Sequence, residues 1–380
     1  MRPLTLTGGQ VLTGGSLVAG DLHLAGGHIT DTANADALHL DARGLHVLPG
    51  IIDLHGDAFE RQIQPRPGIA FPIDLALHDT EQQLLANGVT TAFHGVTLSW
   101  EPGLRSLETW RALLDGLAGQ SWTCDMRVHL RWEEYNLDAL ETALADIAAG
   151  RVHLVAFNDH TPAILGRMSD PLKATKYSDR AGMALDDFRT LAAGIGARAS
   201  EVAPARARIA AAARAAGLPM ASHDDDTIAT REEYRALGAR ICEFPMAEAV
   251  AAAARAAGDA VVMGSPNVVR GRSHLGWASA ARLAESGLCT VLSSDYFYPC
   301  LLRAAYILAG RAVLDLPAAW ALIAANPAAA AGLPDRGTIA PGRRADLVLV
   351  DASFPTPRLV ATIAAGRIAH LSAAAAARLP

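Results

Sequence analysis

Along residues 49–334, short apolar runs alternate with longer stretches in which Ala and Leu recur at helical spacing. The apolar runs fall at 47–55, 90–95, 126–132, 152–157, 218–223, 239–244, 260–264 and 289–294. Each has the length of a strand buried on both faces. Helical stretches occupy 79–87, 105–118, 137–149, 201–216, 230–237, 247–257, 277–286 and 317–325. Repeating βα units of this kind predict an α/β protein with a (β/α)8 TIM barrel over 49–334. The polar stretch 158–200 interrupts the alternation and reads as one long loop; long loops in compact domains usually serve function. The two ends follow another rhythm. Residues 1–48 hold short β-type runs such as Leu4-Thr5-Leu6 and Asp21-Leu22-His23-Leu24 between glycine pairs, the pattern of a small antiparallel sheet. Similar runs return at 345–350 and 359–363, so 1–48 plus 335–380 are expected to form a second, small β domain from both termini.

Composition narrows the class. The net charge is −6 and no Lys/Arg-rich block occurs, which argues against a nucleic-acid partner. No apolar run reaches the roughly 18 residues a membrane helix needs, and Met1-Arg2-Pro3 leads into no apolar leader, so a cytoplasmic soluble protein without a signal peptide is expected. Four cysteines, at 124, 242, 289 and 300, form no CxxC pair and supply neither a disulfide framework nor a structural zinc knuckle. Only two of the 33 basic residues are lysines, Lys173 and Lys176, so any chemistry that needs a lysine has two candidates.

In a (β/α)8 barrel the active site lies where the strands end. The ends read His55-Gly56-Asp57, Phe93-His94, Arg131-Trp132-Glu133, Asn158-Asp159-His160, Ser222-His223-Asp224, Cys242-Glu243, Ser265-Pro266-Asn267 and Ser294-Asp295. His55 and Asp57 are two apart and so share one side of an extended segment, with Gly56 leaving room for close approach. Any one of these residues reads blandly as a turn or cap. Together, so many carboxylates and imidazoles on one rim require a cation. The mixed N/O set suits a divalent metal, Zn²⁺ first and Mn²⁺ or Fe²⁺ next, and the number of ligands suits two ions. Asp295 is placed to take a proton from an attacking water. His94 and Glu243 are further rim candidates. His23, His28, His39, His46, His78, His129, His153 and His370 lie outside the rim motifs.

The string LPGIIDLHGD at 48–57 resembles the first-strand signature of the amidohydrolase superfamily, and RGTIAPGRRADLVLVD at 336–351 resembles its return strand. Longer strings are narrower: DLHGDAFERQIQPRPG at 53–68, FNDHTP at 157–162, KYSDRAGM at 176–183, SHDDDT at 222–227, GSPNVVRGRSHLGW at 264–277 and SSDYFYPCLLRAA at 293–305. They are similar to the triphosphate diphosphatases of the carbon–phosphorus lyase (phosphonate) pathway, over essentially the whole chain. The resemblance implies a distorted metal-bearing barrel flanked by a β-sandwich domain from both termini. It further implies hydrolysis of a ribose 5-triphosphate, a small phosphorylated sugar, to the 5-phosphate and pyrophosphate. Asp57 stands where members usually have a second His, and Trp277 where an Asn is expected. Both lysines lie beyond the fourth strand, so Glu133 or Asp159, Glu133 before Asp159, must supply any carboxylate that bridges two metals.

The expected metal ligands are therefore His55, Asp57, Glu133, His160, His223 and Asp295, with Asp295 also the catalytic base. The expected phosphate contacts are Arg66, Lys173, Lys176, Arg180, Asn267, Arg270, Arg272, Ser273 and His274. The run 270–274 is favoured because barrels often bind phosphate after strands seven and eight. Glu60 and Arg61 are expected to brace the first loop as a pair, while Asp159, Asp224 and Glu243 support the ligands or join them. Two rival readings remain: a C–N hydrolase of cyclic-amide or deaminase type, and a non-catalytic assembly protein on the same fold. A homo-oligomer is the common state for such enzymes.

Overall fold

The computed structural model describes residues 2–66, 68–271 and 279–379. Five strands open the chain: β1 (Leu4–Thr13), β2 (Ser16–Ala25), β3 (His28–Thr30), β4 (Leu38–Asp41) and β5 (His46–Pro49). Eight follow in the middle: β6 (Ile51–Gly56), β7 (Val89–Leu98), β8 (Asp125–Glu133), β9 (Leu154–Asn158), β10 (Met220–His223), β11 (Ile241–Glu243), β12 (Ala260–Gly264) and β13 (Val291–Ser293). Three close it: β14 (Leu347–Asp351), β15 (Arg358–Ala364) and β16 (Arg367–Leu371).

Strands β6 to β13 pair in sequence order and all in parallel. β13 returns to β6 through a parallel bridge between Gly56 and Asp295, so the barrel is nearly closed. Ile52, Leu54, Phe93, Leu154, Ala156, Ala221, Ile241, Val262 and Val291 fill its lower end. Each fully buried Val, Leu, Ile or Phe among them contributes roughly 1.5–3 kcal/mol. The remaining strands form one mostly antiparallel sheet in the order β16-β15-β14-β5-β1-β2-β3, with β4 beside β1, around Leu6, Leu40, Val47, Leu347 and Ile363. The run expected as one strand at 47–55 is therefore two. It crosses from the terminal sheet to the barrel at Gly50, where a Cβ would stand 2.4 Å from Thr90 Oγ1.

The two sheets are tied by charge at the foot of the barrel. Asp125 accepts from Arg336 at 2.6 Å, Arg127 at 2.9 Å and Arg344 at 3.4 Å.

The segment 158–200, expected as a loop, folds as three helices, Thr161–Arg167, Pro171–Ala181 and Leu185–Gly196. Asp170 caps the second through its Oδ1, which accepts from the amides of Leu172 at 3.1 Å and Lys173 at 3.4 Å. Pro171 opens that helix and Gly182, at φ 64°, ends it. Only a narrow face is apolar: Ile164, Ala181, Phe188 and Ala192 make a small core of their own. The polar remainder hides the helical period. Among the described residues no helix is long and apolar enough to cross a membrane, and all four cysteines are buried free thiols.

Candidate active site

Alternation along β8 sends His129, Arg131 and Glu133 to the inside of the barrel. On β6 the register shifts between Asp53 and Gly56. Such a bulge re-aims a side chain, and His55 turns into the polar cluster above Leu54. Its Nδ1 lies 3.1 Å from Glu243 Oε2. Its ring sits edge-on to His129, with centroids 5.2 Å apart, and 5.4 Å from that of His223. His129 Nδ1 contacts the Leu54 carbonyl at 2.9 Å, and its Nε2 is 3.8 Å from Glu243 Oε2.

A second cluster lies beside the first. Asp224 Oδ2 is 3.2 Å from His223 Nδ1 and 3.7 Å from His160 Nε2. His160 Nδ1 is 3.3 Å from Glu133 Oε2. Glu133 Oε1 also accepts from the Thr161 hydroxyl at 2.7 Å and the Thr161 amide at 3.2 Å. Asp224 reaches both imidazoles because its backbone is left-handed, at φ 59°. Asp225 behind it is anchored to Ser222 at 2.6 Å and to Arg231 at 3.3 Å.

The third group closes the seam of the barrel. Asp53 is fully buried; its Oδ2 accepts from the Ser294 hydroxyl at 2.5 Å and its Oδ1 from the Ser294 amide at 2.9 Å. A Cβ on Gly56 would lie 2.6 Å from Asp53 Oδ2 and 2.8 Å from Ser294 Oγ, so the close approach foreseen at Gly56 is that of the last strand. The Asp295 amide donates to the His55 carbonyl at 2.9 Å, and the Asp57 amide to the Asp295 carbonyl at 2.9 Å. Asp295 holds φ 56°, a left-handed conformation uncommon outside glycine, in which Asn and Asp are the best-tolerated side chains. Arg131 stands among these groups, with Nη2 3.2 Å from His223 Nε2 and Nη1 3.8 Å from Asp57 Oδ2.

Burial sets the charge states. It pushes Asp57 up to about 6, with the Glu60 charge adding to it. It pushes Asp295 up to about 7, reinforced by Asp57, and it raises Glu243. It holds His55, His129 and His223 below the ordinary imidazole value, which favours the neutral imidazole at pH 7. His160 goes the other way: burial opposes its charge, but Asp224 and Glu133 carry it up to about 9. Asp159, buried near Glu133, rises to about 6.

A cavity of about 700 Å³ opens over these groups, lined by Asp57, Glu133, Asp159, His160, His223 and Asp224. Its cationic lining is Arg105, Arg131, Arg167 and Arg180. Of the expected phosphate contacts among the described residues, only Arg180 is part of this lining. Lys173 pairs with Asp170 at 3.2 Å on an exposed helix face, and Lys176 is exposed beside it. Arg66 is exposed in a turn closed against Ile69. Asn267 Oδ1 accepts from the Ala280 amide at 3.1 Å, opening the helix Ala280–Glu285. Arg270 donates to the Tyr296 hydroxyl at 3.4 Å. Arg272, Ser273, His274 and Trp277 lie outside the described residues. The expected Glu60–Arg61 pair is not formed. Glu60 takes Arg105 in a two-point contact at 3.1 and 3.2 Å, and Arg61 donates to the Tyr296 carbonyl. His94 packs on Phe59, centroids 5.1 Å apart, away from the cavity. Sequence reasoning gave no role to His129, Arg105 or Arg167. The i, i+2, i+4 series 129–131–133 was the available signal for His129; Arg105 and Arg167 meet only in three dimensions.

A model of the amidohydrolase family matches residues 111–370. The chain belongs to the amidohydrolase family. Among curated proteins, this amidohydrolase is 33% identical to the alpha-D-ribose 1-methylphosphonate 5-triphosphate diphosphatase of Escherichia coli (strain K12) over 346 residues, 88% of this chain and 91% of that protein. Among solved structures it is similar to a β-aspartyl dipeptidase of Fervidobacterium islandicum AW-1 (TM-score 0.64, 14% identity, 98% of this chain and 99% of the other). It is also similar to an N-acetylglucosamine-6-phosphate deacetylase of Pasteurella multocida (TM-score 0.64, 10% identity, 97% and 100%). These two likenesses concern the fold alone.

Amidohydrolases usually bind divalent metals, and the donors of this one fit such ions. Donor atoms of His55, His223 and Glu243 lie within 4.8 Å of one another, as do those of His160, His223 and Asp224. Glu243 Oε1 and His129 Nε2 are buried without a hydrogen-bond partner, a costly state that a cation among neutral imidazoles relieves. Glu243 and Asp224 converge with the imidazoles in these groups, and Glu133 adds its Oε2 beside His160 while its Oε1 is held by Thr161.

Proposed function

We propose that this amidohydrolase is a cytoplasmic metal-dependent diphosphatase. It splits alpha-D-ribose 1-methylphosphonate 5-triphosphate into the 5-phosphate and pyrophosphate. The observation that carries the reading is the lining of the cavity, where Glu133, His160, His223 and Asp224 share one space with four guanidiniums, Arg105, Arg131, Arg167 and Arg180. Such a wall suits a polyanion, since Arg forks match phosphate oxygens bidentately; a cyclic amide would leave it without a partner. The 33% identity to the Escherichia coli diphosphatase supports the same substrate.

Two divalent ions, zinc first, would be held by His55 and Glu243 and by His160 and Asp224, with His223 giving its one lone pair to one of the two. Bound there, they supply a water acidic enough to ionise near neutral pH and polarise a phosphoryl oxygen. Asp295, raised to about 7 by burial, is matched to accept the proton of the attacking water at neutral pH. The water oxygen bonds to the α-phosphorus, the bond from that phosphorus to the bridging oxygen breaks, and pyrophosphate leaves with the electron pair. Arg131, held between Asp57 and His223, offsets charge on the phosphoryl oxygens. The test is incubation with a ribose 5-triphosphate and chromatography of the products. Pyrophosphate released in equal amount to the 5-phosphate, and abolished by a chelator, is expected. Release of orthophosphate alone, or no turnover with any divalent ion, refutes the reading.

A further inference from the structure

Two of the four guanidiniums that line the cavity sit on the helices after β9. Arg167 ends the helix Thr161–Arg167 and Arg180 lies in the last turn of Pro171–Ala181. Tyr177 joins them. Arg167 donates to its hydroxyl at 2.6 Å, and the Arg180 guanidinium lies 5.3 Å from its ring centroid. The ring in turn stacks on Phe188, centroids 6.4 Å apart and planes within 7°. Phe188 is fully buried, so the platform is fixed to the small core of these helices.

Both guanidiniums keep donors in hand. Arginine has five N–H groups. Arg180 directs Nε and Nη2 to Oε2 of Glu101, whose side chain is 6% exposed. Arg167 pairs with no carboxylate among the described residues. Both side chains line the cavity. Two preset cations at its wall, joined through one aromatic ring, match the two linked phosphoryl groups of a pyrophosphate end better than a single phosphate.

We propose that Arg167 and Arg180, set by Tyr177, form the subsite for the departing pyrophosphate end of the substrate. This rests on the diphosphatase reading above.

The experiment is calorimetric titration of inorganic pyrophosphate into the purified protein, alongside ribose 5-triphosphate turnover. The variants are Arg167→Gln, Arg180→Gln and Tyr177→Phe, with Arg208→Gln, an exposed partner of Glu141, as control. Each Arg variant is expected to bind pyrophosphate about tenfold more weakly, the loss of one charge-assisted contact, and to raise KM more than it lowers kcat. Tyr177→Phe keeps the stack and weakens binding less than Arg167→Gln does. Arg208→Gln binds as the parent does. Unchanged affinity in both Arg variants, while the parent still releases pyrophosphate, overturns the subsite and leaves the diphosphatase reading standing. Binding that falls in both Arg variants, in a protein that cleaves no triphosphate, keeps the subsite and overturns that reading. A parent protein that binds no pyrophosphate overturns the subsite.

Discussion

Replacing Arg231 by methionine tests what holds the strand that carries His223 and Asp224. Arg231 is 1% exposed. Its guanidinium donates to Ser222 Oγ and to the Ala239 carbonyl, and reaches Asp225 Oδ2 at 3.3 Å, the Ile241 carbonyl at 3.3 Å and Asp259 Oδ2 at 3.4 Å. Methionine keeps an unbranched stem and removes the charge. Asp259 retains Arg235 at 3.2 Å and Arg240 at 3.7 Å. Asp225 retains only the Ser222 hydroxyl at 2.6 Å and Cys242 Sγ at 3.4 Å. One buried carboxylate therefore loses its cation, and two strand-end carbonyls lose donors. Breaking a buried pair from one side costs about 3–5 kcal/mol. The lower end applies because Asp225, already raised by burial, can take up a proton. With about 2.1 cal/mol/K of unfolding entropy per residue over 380 residues, a loss of about 3 kcal/mol lowers Tm by about 4 °C. The sign with pH follows. Without Arg231 the folded-state pKa of Asp225 climbs further above its unfolded value, so the deficit grows as pH rises from about 5 to 8. Scanning calorimetry at both pH values measures it. A Tm unchanged at pH 8, or a deficit larger at pH 5, refutes the reasoning.

Other perturbations probe separate parts. Asp125→Asn loosens the clamp between barrel and terminal sheet; Arg127 and Arg336 hold this carboxylate below its ordinary value despite burial. Its loss should cost about 2–3 kcal/mol at pH 7, and the gap to the parent should close as pH falls below the unfolded carboxylate value of about 3.9; a pH-independent gap in urea unfolding contradicts this. Glu134 is pushed up to about 8 by burial, with Arg206 opposing, so the folded parent holds a proton that the unfolded chain has released between pH 4.5 and 8. Parent stability should fall across that window, and Glu134→Gln should flatten the fall; parallel Tm profiles contradict it. Glu243→Gln removes a charge from the His55–His223 group, so metal per chain, read by elemental analysis, should drop by at least half of one ion, roughly a tenfold or greater loss of affinity. Full metal content in that variant removes Glu243 from the ligands.

Much of the barrel was legible because its strands are buried on both faces and flanked by Ala-rich helices, so each apolar run from 90 to 294 fell on an observed strand within a few residues. The rim residues were legible for the same reason, since a polar residue ending a buried strand has few places to go. His55 and Asp57 were placed together by simple alternation, whereas it is the bulge at Asp53–Gly56 that turns His55 inward, a backbone event with no residue-type signal. The helices of 158–200 were lost because their apolar face is narrow and their core is four residues shared between segments. Of the guanidiniums around the cavity, Arg180 was named from the sequence, whereas Arg105, Arg131 and Arg167 come from other elements; residues 272–274 lie outside the described ones. Convergence of that kind is a property of the closed barrel and leaves no local pattern.

The central claim is that water attacks the α-phosphorus of a ribose 5-triphosphate in this cavity. Hydrolysis in ¹⁸O-labelled water, followed by ³¹P NMR of the products, tests it most directly. The account predicts the label on the ribose 5-phosphate and none on the pyrophosphate. Label on the pyrophosphate, or on free orthophosphate, would contradict it.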